Sequence, residues 1–238
     1  ILPEGISGFG QALDTRFAKH IDLLTGALPA QYGNRTAGVV EIETKTQFEA
    51  GGRVDLYGGS HGTVNPSFEY GNTHGDLSYY VTGSFLTNNQ GIENPTSSNT
   101  AMHDRTNQGK GFAYLSYLVD PTTRLSAMFG TYTGTFQIPN NPGQTPDPEG
   151  RGFLAGAGVS SFNSANLQES QREANHYGIV SLQGVVGSDF DYQVSLFTRY
   201  TSVHFTPDPI GDLVFNGRAP TTPHADIAHW LQSLTALE

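Results

Sequence analysis

Eight histidines, at positions 20, 61, 74, 103, 176, 204, 224 and 229, are the side chains here best suited to metal or acid–base chemistry. Their spacing argues against both uses. None belongs to an HExxH motif, and with no cysteine in the chain there is no Cys/His set for zinc. His224 and His229 are five apart, which places them poorly on one face of a helix. The pair with the best claim to touch a ligand is His103 and its neighbour Asp104, in a long loop. The sequence has no GxSxG elbow, no Walker-type phosphate loop and no carboxylate pair set apart by its surroundings. Gly5, Gly8 and Gly10 are not followed by a strand-to-helix dinucleotide unit. No catalytic residue, metal ligand or cofactor is therefore assigned. The expected chemistry is binding, and the chain is not expected to be an enzyme.

Composition narrows what could position such residues. Only 14% of the 238 residues are charged and 36% are hydrophobic, lean on both counts for a soluble enzyme. The formal charge of -10, with 12 Lys and Arg spread along the chain, argues against a nucleic-acid partner. The 29 Gly and 13 Pro, with 11 Tyr and 14 Phe, describe many short strands joined by turns, which favours an all-β architecture. No apolar run approaches the roughly 18 residues of a membrane helix, so entry into a membrane would require a barrel. The chain opens at Ile1 without a signal peptide and is expected to begin mid-protein.

Two patterns divide the chain. Up to about residue 47 the pattern is mixed: a short helix is expected at 11–18, an apolar strand at 20–24, a second short helix near 27–32 and a strand at 37–44. Gly26 and Gly33 stand where tight turns need positive φ, and Pro29 suits the first turn of a helix. From residue 48 the period becomes two. About seven strands are expected, at 48–58, 63–71, 76–87, 108–119, 122–138, 174–186 and 191–204. In the third, Leu77, Tyr79, Val81 and Phe85 oppose Ser78, Thr82 and Ser84; in the fourth, Ala113, Leu115, Tyr117 and Val119 oppose Tyr114 and Ser116. The sixth sets Val180, Leu182 and Val186 against Ser181 and Gln183. A transmembrane barrel requires this alternation, and a half-buried soluble sheet shows it too.

Connection lengths discriminate between those two. The connections at 72–75, 120–121 and 187–190 are tight, whereas 88–107 and 139–173 are long. Outer-membrane barrels keep short turns at the periplasmic end and long loops outside, and every short turn just named falls at an even-numbered connection. The segment 139–151, PNNPGQTPDPEGR, is too rich in Pro, Gly and Asn for regular structure.

The stretch 24–45, LTGALPAQYGNRTAGVVEIETK, resembles the plug-to-barrel junction of TonB-dependent outer-membrane receptors. Its matching residues are Leu24, Gly26, Pro29, Ala30, Tyr32, Gly33, Thr36, Ala37, Gly38, Val39, Val40, Ile42, Thr44 and Lys45, all in structural roles. The resemblance implies a C-terminal part of a plug at 1–47 and the N-terminal part of an antiparallel up-and-down barrel at 48–221. A helix-like tail would follow at 222–238, with Ile227, Trp230, Leu231 and Leu234 near one face. About seven strands of a 22-stranded transmembrane barrel would be present. The implied location is the outer membrane of a Gram-negative bacterium. The implied partners are outer-membrane lipid, the TonB energy-coupling protein and a nutrient taken up through the pore: a ferric siderophore or other small-molecule chelate, cobalamin, or an oligosaccharide. By itself such a fragment is not expected to insert stably. About ten unpaired edge groups in hydrocarbon, at several kcal/mol each, would exceed the roughly 5–15 kcal/mol that holds a domain together. The competing expectation is a soluble or surface-attached β-rich binding module, carbohydrate-binding or adhesin-like, which explains the alternation but neither the junction nor the loop parity.

Overall fold

The computed structural model describes residues 18–26, 38–44, 48–90, 102–139 and 166–208. They form nine strands in two antiparallel sheets, and there is no helix of four or more residues among them. The helices expected at 27–32 and 222–238 lie outside the described residues, as does most of the one expected at 11–18. Ala18, placed at the end of that helix, is instead the first residue of a strand.

The small sheet pairs β1 (Ala18–Leu24) with β2 (Val39–Thr44), the two strands expected in the first segment. Leu24 lies opposite Val39, and Gly26 and Gly38 flank the pair with φ of 90° and 134°, values that β-carbon-bearing residues rarely adopt. Lys19 donates to Glu43 across the strands at 2.7 Å. That charged hydrogen bond holds the Glu43 carboxyl below its ordinary range.

The large sheet is a meander in strict chain order. It runs β3 (Gly51–Gly59), β4 (Thr63–His74), β5 (Leu77–Asn88), β6 (Thr106–Asp120), β7 (Thr123–Gln137), β8 (Ser170–Val186) and β9 (Phe190–Thr206). All seven expected strands are present. The main differences are at ends: β4 runs on to His74, and β8 begins at Ser170, so that Arg172 and Glu173 are strand residues rather than loop residues. The described sheet is open, with β3 and β9 as its edges.

Each short connection has its own chemistry. Between β3 and β4, His61 and Gly62 both take positive φ (58° and 65°), the twist-matched hairpin turn. Between β6 and β7, Pro121 presets the bend, and the Asp120 carboxylate accepts the Thr122 backbone N–H (2.8 Å) and hydroxyl (2.7 Å). Within β4, Pro66 has no N–H for the ladder, and the neighbouring Asn65 side-chain amide donates to the Phe85 carbonyl instead (3.1 Å).

Candidate functional site

With one exception, the seven-stranded sheet confines its charged side chains to one face. Even-numbered residues of β5 and β6 and odd-numbered residues of β8 and β9 share one side, here termed the inner face. All strand carboxylates of this sheet lie there or at its rim: Asp55, Glu69, Asp120, Glu173 and Asp191. So do Arg53, Lys110, Arg124 and Arg199. At the outer positions the seven strands carry a single charged residue, Arg172. The outer face is instead an exposed apolar surface, including Phe68, Val81, Leu115, Phe129, Val180 and Leu196, the last 76% exposed. Burial departs from that of a soluble sheet: Ser67, Ser78, Thr82, Ser116 and Ser181 are covered and Leu56, Phe68, Leu115 and Phe129 face outward exposed, while a few inward aromatics such as Phe112 and Phe136 are buried among the polar residues.

That apolar surface is an inclined band. Its residues are Val54 and Leu56 on β3 and 64–70 on β4, but 180–186 on β8 and 190–196 on β9. Followed through the strand register, its centre drops toward the short-turn end by about eight residues over about six strand-to-strand steps. With roughly 3.3 Å per residue and roughly 4.8 Å between strands, the band crosses the strands at an inclination of about 40°. Closed membrane barrels tilt their strands by about 35–45° against the membrane normal. Tyr70 and Tyr79, with ring centroids 6.0 Å apart, lie in the part of the band nearer the short turns, and Tyr117 and Tyr192 follow on β6 and β9.

On the inner face, register aligns like with like. Thr73, Ser78, Ser116, Ser126, Ser181 and Ser195 are successive cross-strand partners, one hydroxyl row over six strands. Thr73 and Ser78 are 3.0 Å apart, and Ser181 and Ser195 2.7 Å. The next row is apolar to aromatic: Tyr80, Tyr114, Met128, Ile179 and Phe197. Phe48, just before β3, folds onto this row, stacked on Tyr80 at 4.8 Å and 13° and tilted against Tyr114, while its backbone N–H donates to Thr73. The chain thus reaches the first strand of this sheet across the polar face. Further along, Tyr80 donates to Glu69 (2.6 Å) and Gln171 to Glu173 (2.8 Å), so the inner carboxylates are engaged within the sheet.

The residues singled out for binding occupy the long-loop end. His103, with φ of 52°, lies 2.7 Å through Nε2 from the Glu169 carbonyl, which ties the loop base before β6 to the one before β8. Asp104 is 1% exposed. The two are adjacent in the chain but are set in different surroundings, one pinned to backbone and one buried. Of the junction residues, Gly26, Gly38 and Val39 are at the β1–β2 pair, and Pro29, Tyr32, Gly33 and Thr36 lie outside the described residues. No group of three or more metal-ligating side chains occurs among the described residues. A depression of about 490 Å³ at the short-turn end is lined by Leu118, Arg124, Gln183 and Gln193. At the same end, the hydrogen bonds from Thr122 hold the Asp120 carboxyl below its ordinary range.

Alternation exposed the two faces in the sequence, but not the hydroxyl row, whose members acquire a common row only through register. Arg172 falls within the long connection expected at 139–173, and the signal that makes it a strand residue is the period of two that β8 continues upstream of Ala174. No protein-family model, curated protein or solved structure matches this chain.

Proposed function

We propose that β3–β9 form part of the wall of a transmembrane β-barrel in a bacterial outer membrane. In this reading the chain belongs to a TonB-dependent type of receptor that takes up a scarce nutrient. The observation that carries the membrane reading is the inclined outer band, devoid of carboxylates and exposed along all seven strands. Water has no reason to favour such a face, and hydrocarbon does. The polar inner face would line the lumen, and the loops at 89–105 and 138–169 would face the cell exterior. Receptor identity rests on the junction resemblance at 24–45. The entry of Phe48 across the inner face supports it, because a plug inside the lumen requires that path. Nutrient class stays at the level the resemblance implies: siderophore chelate, cobalamin or glycan.

The absence of cysteine permits a direct test. Single cysteines at consecutive residues 123–131 of β7, in the protein carrying these strands and expressed in a Gram-negative envelope, are probed with a water-borne maleimide and a lipid-borne quencher. Alternation is expected, with 125, 127 and 129 reporting lipid and 126, 128 and 130 reporting water. Maleimide reactivity at 125, 127 and 129 equal to that of their neighbours, with no quenching, would replace the barrel wall by a soluble binding module. Uptake is tested separately, by loss of growth on each nutrient class when the gene is deleted.

A further inference from the structure

Where the outer band stops on β7–β9, its polar continuation has one sign of charge. Above Phe129, Gly178 and Thr198 the outward residues are Thr131, Thr133 and Thr135 on β7, Ala174, Tyr200 and Ser202 beside them, the group Arg172, His176 and His204, and Ser170 and Thr206 at the strand ends. Arg172 and His204 are direct cross-strand partners, which sets their β-carbons about 4.5–5.5 Å apart. His176 lies in the first row above the band. Its ring stacks on Tyr200, with centroids 6.0 Å apart and planes at 14°, and its Nδ1 is 2.7 Å from the Thr131 hydroxyl. When Thr131 donates in that contact, Nε2 keeps its proton and offers a second donor. No carboxylate occupies an outward position on any of the seven strands, although the chain as a whole carries a formal charge of -10.

The geometry points to a docking site for the phosphate of an anionic lipid headgroup, formed by Arg172, His204 and His176 on the outer surface of β8 and β9. This inference rests on the membrane-wall reading. His176 is four positions along β8 from Arg172, about 13 Å along the strand and about 10 Å in height at the inclination derived above. That interval spans the headgroup layer immediately outside the hydrocarbon, where phosphates lie. Arg172 offers a planar fork that matches two phosphate oxygens, and no carboxylate of the seven described strands shares its face. The strand hydroxyls at 131, 133 and 135 supply further donors on the same surface. Followed along the register from Arg172, the outward residues Thr135, Asn107, Thr87 and Val64 carry no charge, so the site is local.

The test uses the protein carrying these strands in nanodiscs, with a fluorophore on Thr198→Cys just below the site and, as control, on Val64→Cys. Quenching by brominated phosphatidylglycerol is compared with quenching by brominated phosphatidylcholine at equal content. The expected result is roughly fivefold preference for the anionic lipid at position 198 and none at 64, the size of effect one cation exerts at a membrane surface. Arg172→Gln should abolish most of that preference and Arg172→Lys should retain part of it, with quenching by phosphatidylcholine unchanged in both. Equal quenching by the two lipids at 198, or a preference that survives Arg172→Gln, overturns the headgroup site while leaving the wall in place. If neither lipid quenches at 198 and 64, the membrane-wall reading itself falls.

Discussion

The outer and inner faces of the β3–β9 sheet are built from the same strands one residue out of step, yet they follow opposite rules. Within the band the outward side chains are apolar and exposed, and on the whole outer face only one is charged; the inward side chains mix hydroxyls, charges and aromatics, and those of the central strands are largely covered. On the outer face the cross-strand partners Leu125 and Leu182 cover one another only in part and stay 42% and 37% exposed. On the inner face Ser116 and Ser181 sit in a row of hydroxyls that gains nothing from hydrocarbon, and Ser181 is hydrogen-bonded to Ser195 within it. The contrast teaches that this sheet is sorted by two solvents rather than by one solvent and a core. Its inward aromatic cluster of Phe48, Tyr80, Phe112 and Tyr114 is too small to be the reason seven long strands assemble.

The most direct way to break the comparison is to put one charge on each face at adjacent positions. Leu125→Arg places a guanidinium in the outer band and is expected to cost about 2–4 kcal/mol of membrane-inserted stability, the usual penalty near the bilayer midplane. Ser126→Arg, one residue later but inward, should change it little. Urea titration of the protein refolded into vesicles measures both. Equal losses would mean that the faces do not differ in solvent.

Phe48→Ala probes what the inner face does hold. Phe48 is 9% exposed, and removing its ring from Tyr80 and Tyr114 is expected to cost about 1.5–3 kcal/mol, the value of burying one such side chain. It should also raise protease cleavage near residues 45–50, because the ring anchors the chain's approach to β3. Unchanged cleavage would show that the stacking does not fix that approach.

Glycine–aromatic pairs sharpen the comparison further. A β-carbon on Gly130 would collide with the ring of its inward cross-strand partner Tyr177, and one on Gly83 would lie 2.6 Å from the ring of its outward partner Phe68. Gly130→Ala is expected to cost about 1 kcal/mol, since the strain falls on the ring's free end. Gly83→Ala should cost less, because the Phe68 ring can swing into lipid. The reverse order, read from the same urea titrations, would contradict the assignment of faces.

Much of this was legible in the sequence because alternation and turn chemistry are local. Leu77, Tyr79, Val81 and Phe85 declare their face within one strand, and Asp120–Pro121–Thr122 declares its turn within three residues. The inclination of the band and the hydroxyl row were not legible, since both are properties of register. Ser126 and Ser181 become partners only when the 138–169 connection is closed and the pairing is set. The binding expectation for His103 and Asp104 came from loop position alone, which says nothing of the Glu169 carbonyl that meets His103 from 66 residues away. Arg172 was hidden by an end-of-strand estimate four residues too late, and strand ends are where local pattern is weakest.

The smallest expected effect concerns the watery rim where both faces end. Asp120 is an inward carboxylate at the short-turn end, held below its ordinary range by the Thr122 hydroxyl and then by the Thr122 N–H. A lowered folded-state value means its contribution to the turn is complete above the ordinary carboxylate range and is lost progressively as pH falls from that range through the lowered value. The turn is solvent-exposed, so the stability change should be slight. A carboxyl NMR titration should find the Asp120 midpoint below that of an ordinary aspartate, and Thr122→Val should move it upward while the backbone N–H retains part of the depression. A midpoint indifferent to Thr122→Val would detach the turn from this hydrogen bond. A midpoint above the ordinary value would mean that the rim is desolvated, and the boundary between the two solvents would then have to be drawn beyond Asp120.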